Sequence, residues 1–246
     1  MISIIICSID DARFATVSAN FANLLNNEPH EIIRIPDARS MCEGYTRGVA
    51  KSRGETLIFC HDDIEILNQD FAARLKEHMG KYDLVGVAGA SRLIRAEWVA
   101  AGPPYIFGQV AQNHPEQGFV VRIFGVPARS VGGIHAMDGL FFAARRDVAE
   151  KIPFDAQTFD GFHHYDLDFS YAAHLAGYQL GIANDIHIIH RSLGMQDKTW
   201  KDYARKFDQK YAGRLNPMPA RRFFFAWVRA KTREEVMEIM SATCPP

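Results

Sequence analysis

The chain has too few cysteines, too little charge imbalance and too short an apolar run for several common roles. No stretch approaches the roughly 18 consecutive apolar residues of a spanning helix, and the first ten residues, MISIIICSID, place no basic residue ahead of their apolar run. Neither a membrane span nor a secretory leader is therefore expected. Cysteine occurs four times, at 7, 42, 60 and 244, never in CxxC spacing. That excludes a zinc knuckle and a disulfide framework and fits reduced thiols in a cytoplasmic setting. Charge of one sign is also missing: 28 basic residues face 29 acidic ones, a net charge of -1. With no global field to attract nucleic acid, a nucleotide ligand would need a local site. The segment after the first apolar run, CSIDDARFATV, contains no glycine. A backbone cradle for a triphosphate needs the close approach that glycine permits, so a sugar-phosphate nucleotidyltransferase is disfavoured.

What the chain does have is alternation. ISIIICSI is a continuous β-branched run, suited to a strand buried on both faces. Phe14, Val17, Phe21 and Leu24 then recur at helical spacing, with Asp10 or Asp11 available as N-cap. EIIRIPD is a second strand, CEGYTRGVAKSRG a helix closed by Gly54, and ETLIFC a third strand. This order predicts a right-handed βαβ half-sheet with strand C-termini on one edge. QDFAARLKEHMGKY reads as a helix and DLVGVAGA as a fourth strand. Residues 91–130 read as an irregular Gly-, Pro- and Gln-rich insertion with a hairpin in GFVVRIFGV. After it come the strand GLFFAAR, the helix DLDFSYAAHLAGY and the strand LGIANDIHIIH. ARRFFFAWVRAKTREEVMEIM reads as one amphipathic helix, dividing the chain into a domain over 1–215 and a helical extension over 216–246.

The polar residues gather at strand ends. Asp62 and Asp63 follow the third strand in IFCHDDIEIL, on the edge where open parallel sheets bind ligands. Two carboxylates there can hold a hard divalent cation, or one can cap a helix while the other is solvated. Asp166 and Asp168 open a helix, where the dipole favours ionised carboxylates and where Asp166 alone would serve as N-cap. Asp37 ends the second strand, and His190 with Arg191 ends the late strand IHIIH. A neutral imidazole there is either structural or a metal ligand beside carboxylates.

In order and spacing these segments resemble the GT-A-fold glycosyltransferases of the family 2-like group. The resemblance runs through ISIIICSID, EIIRIPDARS, EGYTRGVAKSRGETLIFCHDDIEI, AMDGLFFAARRDV, FDGFHHYDLDFSYAAHLAGY and IHIIHRS, most of residues 2–192. It implies an α/β fold whose mostly parallel central sheet carries helices on both faces. It also implies sugar transfer from a nucleotide-diphosphate sugar to an acceptor hydroxyl, dependent on Mn2+ or Mg2+. HDDI looks like the family's DxD-type motif, with Asp63 on the metal and Asp62 on the ribose or the metal. Asp37 matches the acid that bonds the nucleobase, and Cys7 and Ile9 fall where the base pocket is lined. His190 matches a histidine that completes the metal site, Asp166 the catalytic base. Asp138, Gly139 and Tyr165 fall where donor sugar and acceptor meet.

The departures are Pro36 before Asp37, Tyr165 before Asp166 and Ile9 in place of a stacking aromatic. The absence of a QxxRW motif implies single-sugar transfer, and one base carboxylate without a nucleophile partner implies inversion. The expected setting is synthesis of surface polysaccharide or another glycoconjugate on a glycan or lipid-linked acceptor. A domain that binds nucleotide sugar without turnover is the competing expectation. The C-terminal helix, with Phe223, Phe224, Trp227 and Val228 beside Arg221, Arg222 and Arg229, would pack on its own domain or a second copy, or lie on the inner face of the membrane.

Overall fold

A computed structural model describes residues 1–114, 116, 118–126, 128–192, 197–217 and 226–244. The first half follows the alternation of the sequence: β1 (Ile2–Cys7), α1 (Asp11–Leu24), β2 (His30–Ile35), α2 (Met41–Lys51) and β3 (Thr56–Cys60). Asp10 caps α1, accepting from the amides of Ala12 and Arg13 at 2.9 Å. Ser40 caps α2 through the Glu43 amide at 3.1 Å. Gly54 does not cap α2 as expected. Ser52 ends that helix, and the Gly54 amide instead donates to Ser3 Oγ at 2.8 Å, tying the loop to the start of β1.

Next come β4 (Ile64–Ile66), α3 (Phe71–Met79), β5 (Leu84–Gly86), β6 (Ala88–Ala90), a 3-10 turn at Trp98–Ala101, β7 (Ile106–His114) and β8 (Gly118–Phe124). They are followed by β9 (Ser130–Gly132), β10 (Ala136–Met137), β11 (Phe141–Arg145), α4 (Arg146–Lys151), α5 (Tyr165–Leu175), β12 (Leu180–Ala183) and β13 (Ile188–His190). The chain closes with α6 (Lys198–Lys210), β14 (Ala226–Ala230) and α7 (Arg233–Ala242).

The central sheet runs β2-β1-β3-β11-β5-β12-β9. Its strands are parallel except β11 and β9, which pair antiparallel to their neighbours. Aromatic rings show how both faces are covered. Phe59 and Phe142, paired across β3 and β11, meet Tyr45 of α2 and Phe169 of α5. On the opposite face Phe141 meets Phe71 of α3, which in turn meets Phe21 of α1. Alternate residues of one strand thus bury against different helices, as the pleat requires.

A second sheet, β10-β6-β7-β13-β4, continues through β8 to β14. Two runs that read as single strands are split between the sheets. Leu84–Gly86 stays in the central sheet while Ala88–Ala90 crosses to the second, close enough to β10 that a Cβ on Gly89 would collide with the Ala136 carbonyl. Likewise Leu180–Ala183 and Ile188–His190 lie in different sheets. The first run is apolar throughout, so nothing in its pattern marks the crossing, whereas in the second Asn184 and Asp185 fall between the two strands. The insertion is more regular than expected, because β7 and β8 form a long antiparallel pair from Gly108↔Phe124 to His114↔Gly118.

The C-terminal segment corrects the single-helix expectation. Ala226–Ala230 is a strand against β8, and the helix begins only at Arg233. The unpaired edge of β8 needs hydrogen-bond partners, and a Trp-Val segment fits a pleat better than a helix. Trp227 and Val228 are exposed on that strand, whereas Phe223, Phe224, Arg221 and Arg222 lie outside the described residues. Behind the strand, Ala111, Val121, Ile189, Ala230, Val236 and Met240 form a small separate core. No helix among the described residues is long and apolar enough to cross a membrane.

Candidate active site

β3 ends at Cys60, and the turn through Asp62 and Asp63 into β4 sends neighbouring side chains in different directions. Asp62 turns toward β1, accepting from Ser8 Oγ at 2.7 Å with Arg13 Nη1 at 3.9 Å. His61 and Asp63 turn the other way and meet His190 at the end of β13. His61 Nδ1 is 3.1 Å from His190 Nε2, Asp63 Oδ1 is 3.2 Å from that same nitrogen, and His61 Nδ1 is 3.9 Å from Asp63 Oδ1. Ser192 Oγ is also 3.0 Å from His190 Nε2.

Three donor atoms within 4.8 Å of one another can hold a metal ion. Their separations match neighbouring ligands about an ion roughly 2.1 Å from each. Burial works to raise the Asp63 carboxyl. The hydrogen bond from His190 and the neighbouring His190 and His61 charges outweigh it and hold the carboxyl well below its usual range, so it is an anionic ligand. Burial, then His190, pushes His61 down, toward the neutral imidazole that coordinates metals.

Behind His61 lies its orienting group. His61 Nε2 is 2.8 Å from Tyr165 Oη, and that hydroxyl donates to the Gly139 carbonyl at 3.2 Å. With its proton committed to Gly139, the phenol accepts from Nε2–H, which leaves Nδ1 as a bare lone pair facing Asp63 and His190. Tyr165 is buried, with its hydroxyl committed to supporting the site.

Gly139 links the trio to the acid at the start of α5. Its amide donates to Asp166 Oδ2 at 2.7 Å. A Cβ there would run into the Tyr165 hydroxyl and the Asp166 side chain. His164, not Asp166, is the N-cap residue of α5; it adopts a left-handed φ of 62° and makes no side-chain capping bond. Burial, and then the nearby Asp138 charge, push Asp166 up to about 7 against the helix amides that favour its ionised form. Asp138 accepts from Leu140 N at 3.1 Å and Trp98 Nε1 at 3.0 Å.

These groups open into a cavity of about 660 Å3 whose walls include His61, Asp138, Gly139, Tyr165, Asp166 and His190. Trp98, Gln112, Arg122, Phe124, His164 and Trp200 line it further out. A smaller cleft of about 270 Å3, lined by Met1, Glu28, Glu55 and Lys76 among others, contains none of the site acids or histidines.

Cys7, Ile9, Asp37 and Asp62 are not among the residues lining the large cavity. They stand at the C-terminal ends of β1, β2 and β3. Ile9 is 86% exposed, and Asp37 is an exposed carboxylate paired with Arg47 at 2.9 Å. Burial pushes the Cys7 thiol up to about 12, so it stays protonated and unreactive.

His61 is the residue that sequence reasoning missed. Its one signal was its place beside the two acids, and the turn that brings its Nδ1 to His190 is visible only in the fold. The outer cavity residues from the 91–130 insertion and from α6 carried no comparable signal.

Residues 3–212 match a model of the glycosyltransferase-like family. No curated protein matches the sequence. Similar solved structures include GalNAc-T7 with UDP, GalNAc and Mn2+, 14% identical with a TM-score of 0.51 over 87% of this chain and 51% of that one. Another is the mannosyltransferase PcManGT from Pyrobaculum calidifontis in complex with GDP-Man and Mn2+. It is 11% identical with a TM-score of 0.51, over 89% of this chain and 65% of its own. The chain thus spans about half the length of the first and under two thirds of the second, and the likeness is one of fold.

Proposed function

The chain belongs to the glycosyltransferase-like family and has the GT-A fold, and from that premise we propose that it is a metal-dependent, inverting, non-processive transferase. It moves one sugar from a nucleotide-diphosphate sugar to the hydroxyl of a glycan or lipid-linked acceptor. The observation that carries this reading is the meeting of His61 Nδ1, Asp63 Oδ1 and His190 Nε2, with His61 and His190 on the wall of the cavity that also contains Asp166.

The donor set fits a divalent ion, and two imidazoles with one carboxylate favour Mn2+ over Mg2+, which prefers oxygen ligands. When bound, such an ion supplies Lewis-acid stabilisation of charge on the departing diphosphate. The chain's own residues do the rest. On this reading Asp62, with Cys7, Ile9 and Asp37 on the β1–β2 side, receives ribose and base. Asp138 and Gly139 border the transferred sugar. Asp166, with Oδ2 anchored by the Gly139 amide, accepts the proton of the attacking acceptor hydroxyl, and its elevated pKa suits a base working near neutrality. A single displacement opposite the leaving group inverts the anomeric centre. Residues 1–215 form the catalytic unit and 216–246 a C-terminal extension.

Asp166→Asn tests the assignment. Transfer, or slow hydrolysis of the donor sugar, should fall by about 10²- to 10⁴-fold, while Mn2+-dependent UDP or GDP binding measured by calorimetry persists. Turnover near the wild-type rate would remove Asp166 from this role.

A further inference from the structure

The cavity extends well beyond the metal trio, and it extends away from the nucleotide side. In the second sheet β13 pairs with β7 and β7 with β8, in the register His190↔Gln112 and Val110↔Arg122. Adjacent strands lie about 4.8 Å apart and two residues span about 6.8 Å along a strand, so two strand spacings and a two-residue offset, roughly 12 Å, separate the backbones of His190 and Arg122. Asp37, Cys7 and Asp62 sit on the other flank, at the ends of β2, β1 and β3. A donor reaching from that flank to the metal ligands leaves the β7–β8 arm to the other substrate.

Three polar groups in this arm lack partners among the described residues. Arg122 lines the cavity half-buried with no carboxylate or hydrogen-bond partner, and only desolvation acts on its charge. Gln112 is 8% exposed; its Nε2 donates to the Ser192 carbonyl at 3.4 Å while Oε1 has no partner. His164 is 4% exposed; its Nε2 donates to the Ala96 carbonyl at 3.1 Å, which leaves Nδ1 as an unused acceptor. Burial holds that imidazole down at about 4, so it stays neutral. Unmet buried acceptors and an unpaired, partly desolvated guanidinium are costly unless a ligand completes them. Trp98 and Trp200 wall the same space. The combination is one cation, two acceptors for hydroxyl groups, and flat apolar walls.

We propose that this arm binds an acceptor sugar carrying an anionic group, carboxylate or phosphate, which Arg122 grips while Gln112 Oε1 and His164 Nδ1 accept from ring hydroxyls. Guanidinium suits either oxyanion, since its paired N–H groups match both geometries. The word acceptor rests on the function proposed above. The anion preference rests on this arm alone.

Two of the three tryptophans line the cavity, so intrinsic fluorescence reports its occupancy. The protein is titrated with glucuronate, glucose 6-phosphate and methyl glucoside, each with and without Mn2+. The charged sugars should saturate at concentrations at least tenfold below the neutral one. Arg122→Gln should erase that difference and Arg122→Lys retain part of it. Equal binding of charged and neutral sugars, no saturable response to a charged sugar, or a preference that survives Arg122→Gln would overturn the proposal.

A second arm measures UDP and GDP affinity with Mn2+ by calorimetry. Arg122→Gln should leave it within twofold. A fall of tenfold or more would assign the guanidinium to the donor diphosphate and overturn the acceptor assignment. Failure of the transferase reading looks different: wild-type protein would bind neither nucleotide, whatever the sugar titration shows.

Discussion

Asp166 and Tyr165 are neighbours in sequence that both border the cavity, and Tyr165 in addition supports His61 Nε2 and the Gly139 carbonyl. The titration of Asp166 gives its proposed role as base a pH signature of known sign. In that role Asp166 would act deprotonated, and with a pKa pushed up to about 7 the rate should climb as pH rises through neutrality and level off above it. Stability should run the other way. A carboxyl whose folded pKa exceeds its unfolded value of about 3.9 contributes stability present below that value and lost as pH rises through the folded one. Asp166→Asn, which keeps an oxygen for the Gly139 amide, removes this penalty. Its urea midpoint should therefore gain on the wild type between pH 4 and pH 8; parallel midpoints across that range would count against the raised pKa. For Tyr165 the expectation concerns metal. Tyr165→Phe removes the group that fixes the His61 tautomer, and loss of such a support typically weakens metal affinity about 10- to 100-fold. Mn2+ titration followed by electron paramagnetic resonance reads this without any turnover. Unchanged affinity would mean His61 is oriented otherwise.

At the scale of elements, α6 is held against α5 by a buried charge. Lys210 Nζ lies 2.7 Å from Asp168 Oδ1 and 2.8 Å from Asp155 Oδ2, and Tyr211 Oη donates to Asp168 at 2.7 Å. Burial lifts Asp168 above its usual range despite these partners, so its desolvation outweighs what the pairing returns. Lys210, by contrast, is raised by its two carboxylates against the burial that would lower it. Removing the cation leaves Asp168 alone and 2% exposed. Lys210→Met should cost about 2–3 kcal/mol, the buried-pair value discounted for the partial exposure of Lys210. Adding Asp168→Asn should recover most of that loss in thermal unfolding. A double variant as unstable as the single one would mean the lysine acts through packing.

The elements differ in how openly the sequence declares them. β1, α1, β2, α2 and β3 are legible because each apolar run is uniform in period and closed by a breaker such as Pro29, Pro36 or Gly54. The split of 84–90 between two sheets is not, since an apolar run does not say which neighbour it will pair with; that of 180–190 carries a signal only in Asn184 and Asp185 between its two strands. β14 was hidden for a related reason: Ala-Trp-Val-Arg-Ala is acceptable to a helix, and only the open edge of β8 decides for a strand. In the site, His190, Asp166 and Gly139 line one cavity and Asp63 meets His190 beside it; these positions lie at strand ends and at the start of a helix. His61 adjoins the two acids in sequence, and only the folded turn brings its Nδ1 to His190. Arg122, Gln112 and His164 required the three-dimensional pairing itself.

For the whole molecule, the last helix is less peripheral than its position in the chain implies. Val236 and Met240 of α7 pack on Ala111 of β7 and on Ile189, the residue next to His190. Gln109 on β7 donates to the Met240 carbonyl at 2.9 Å and accepts from Thr243 at 2.7 Å, clamping the helix to the same strands. Truncating the fully buried Met240 to alanine should cost about 2–5 kcal/mol in chemical denaturation. Because the strand it underpins carries His190 of the candidate metal trio, Mn2+ affinity should drop in the same variant at temperatures where the protein remains folded. Full affinity in a destabilised Met240→Ala protein would show that tail and strand are independent. With the two coupled, damage to the carboxyl-terminal tail would be felt first as a leaky ion site, and only later as unfolding. A protein shortened there could look intact by circular dichroism and already be unable to keep its ion.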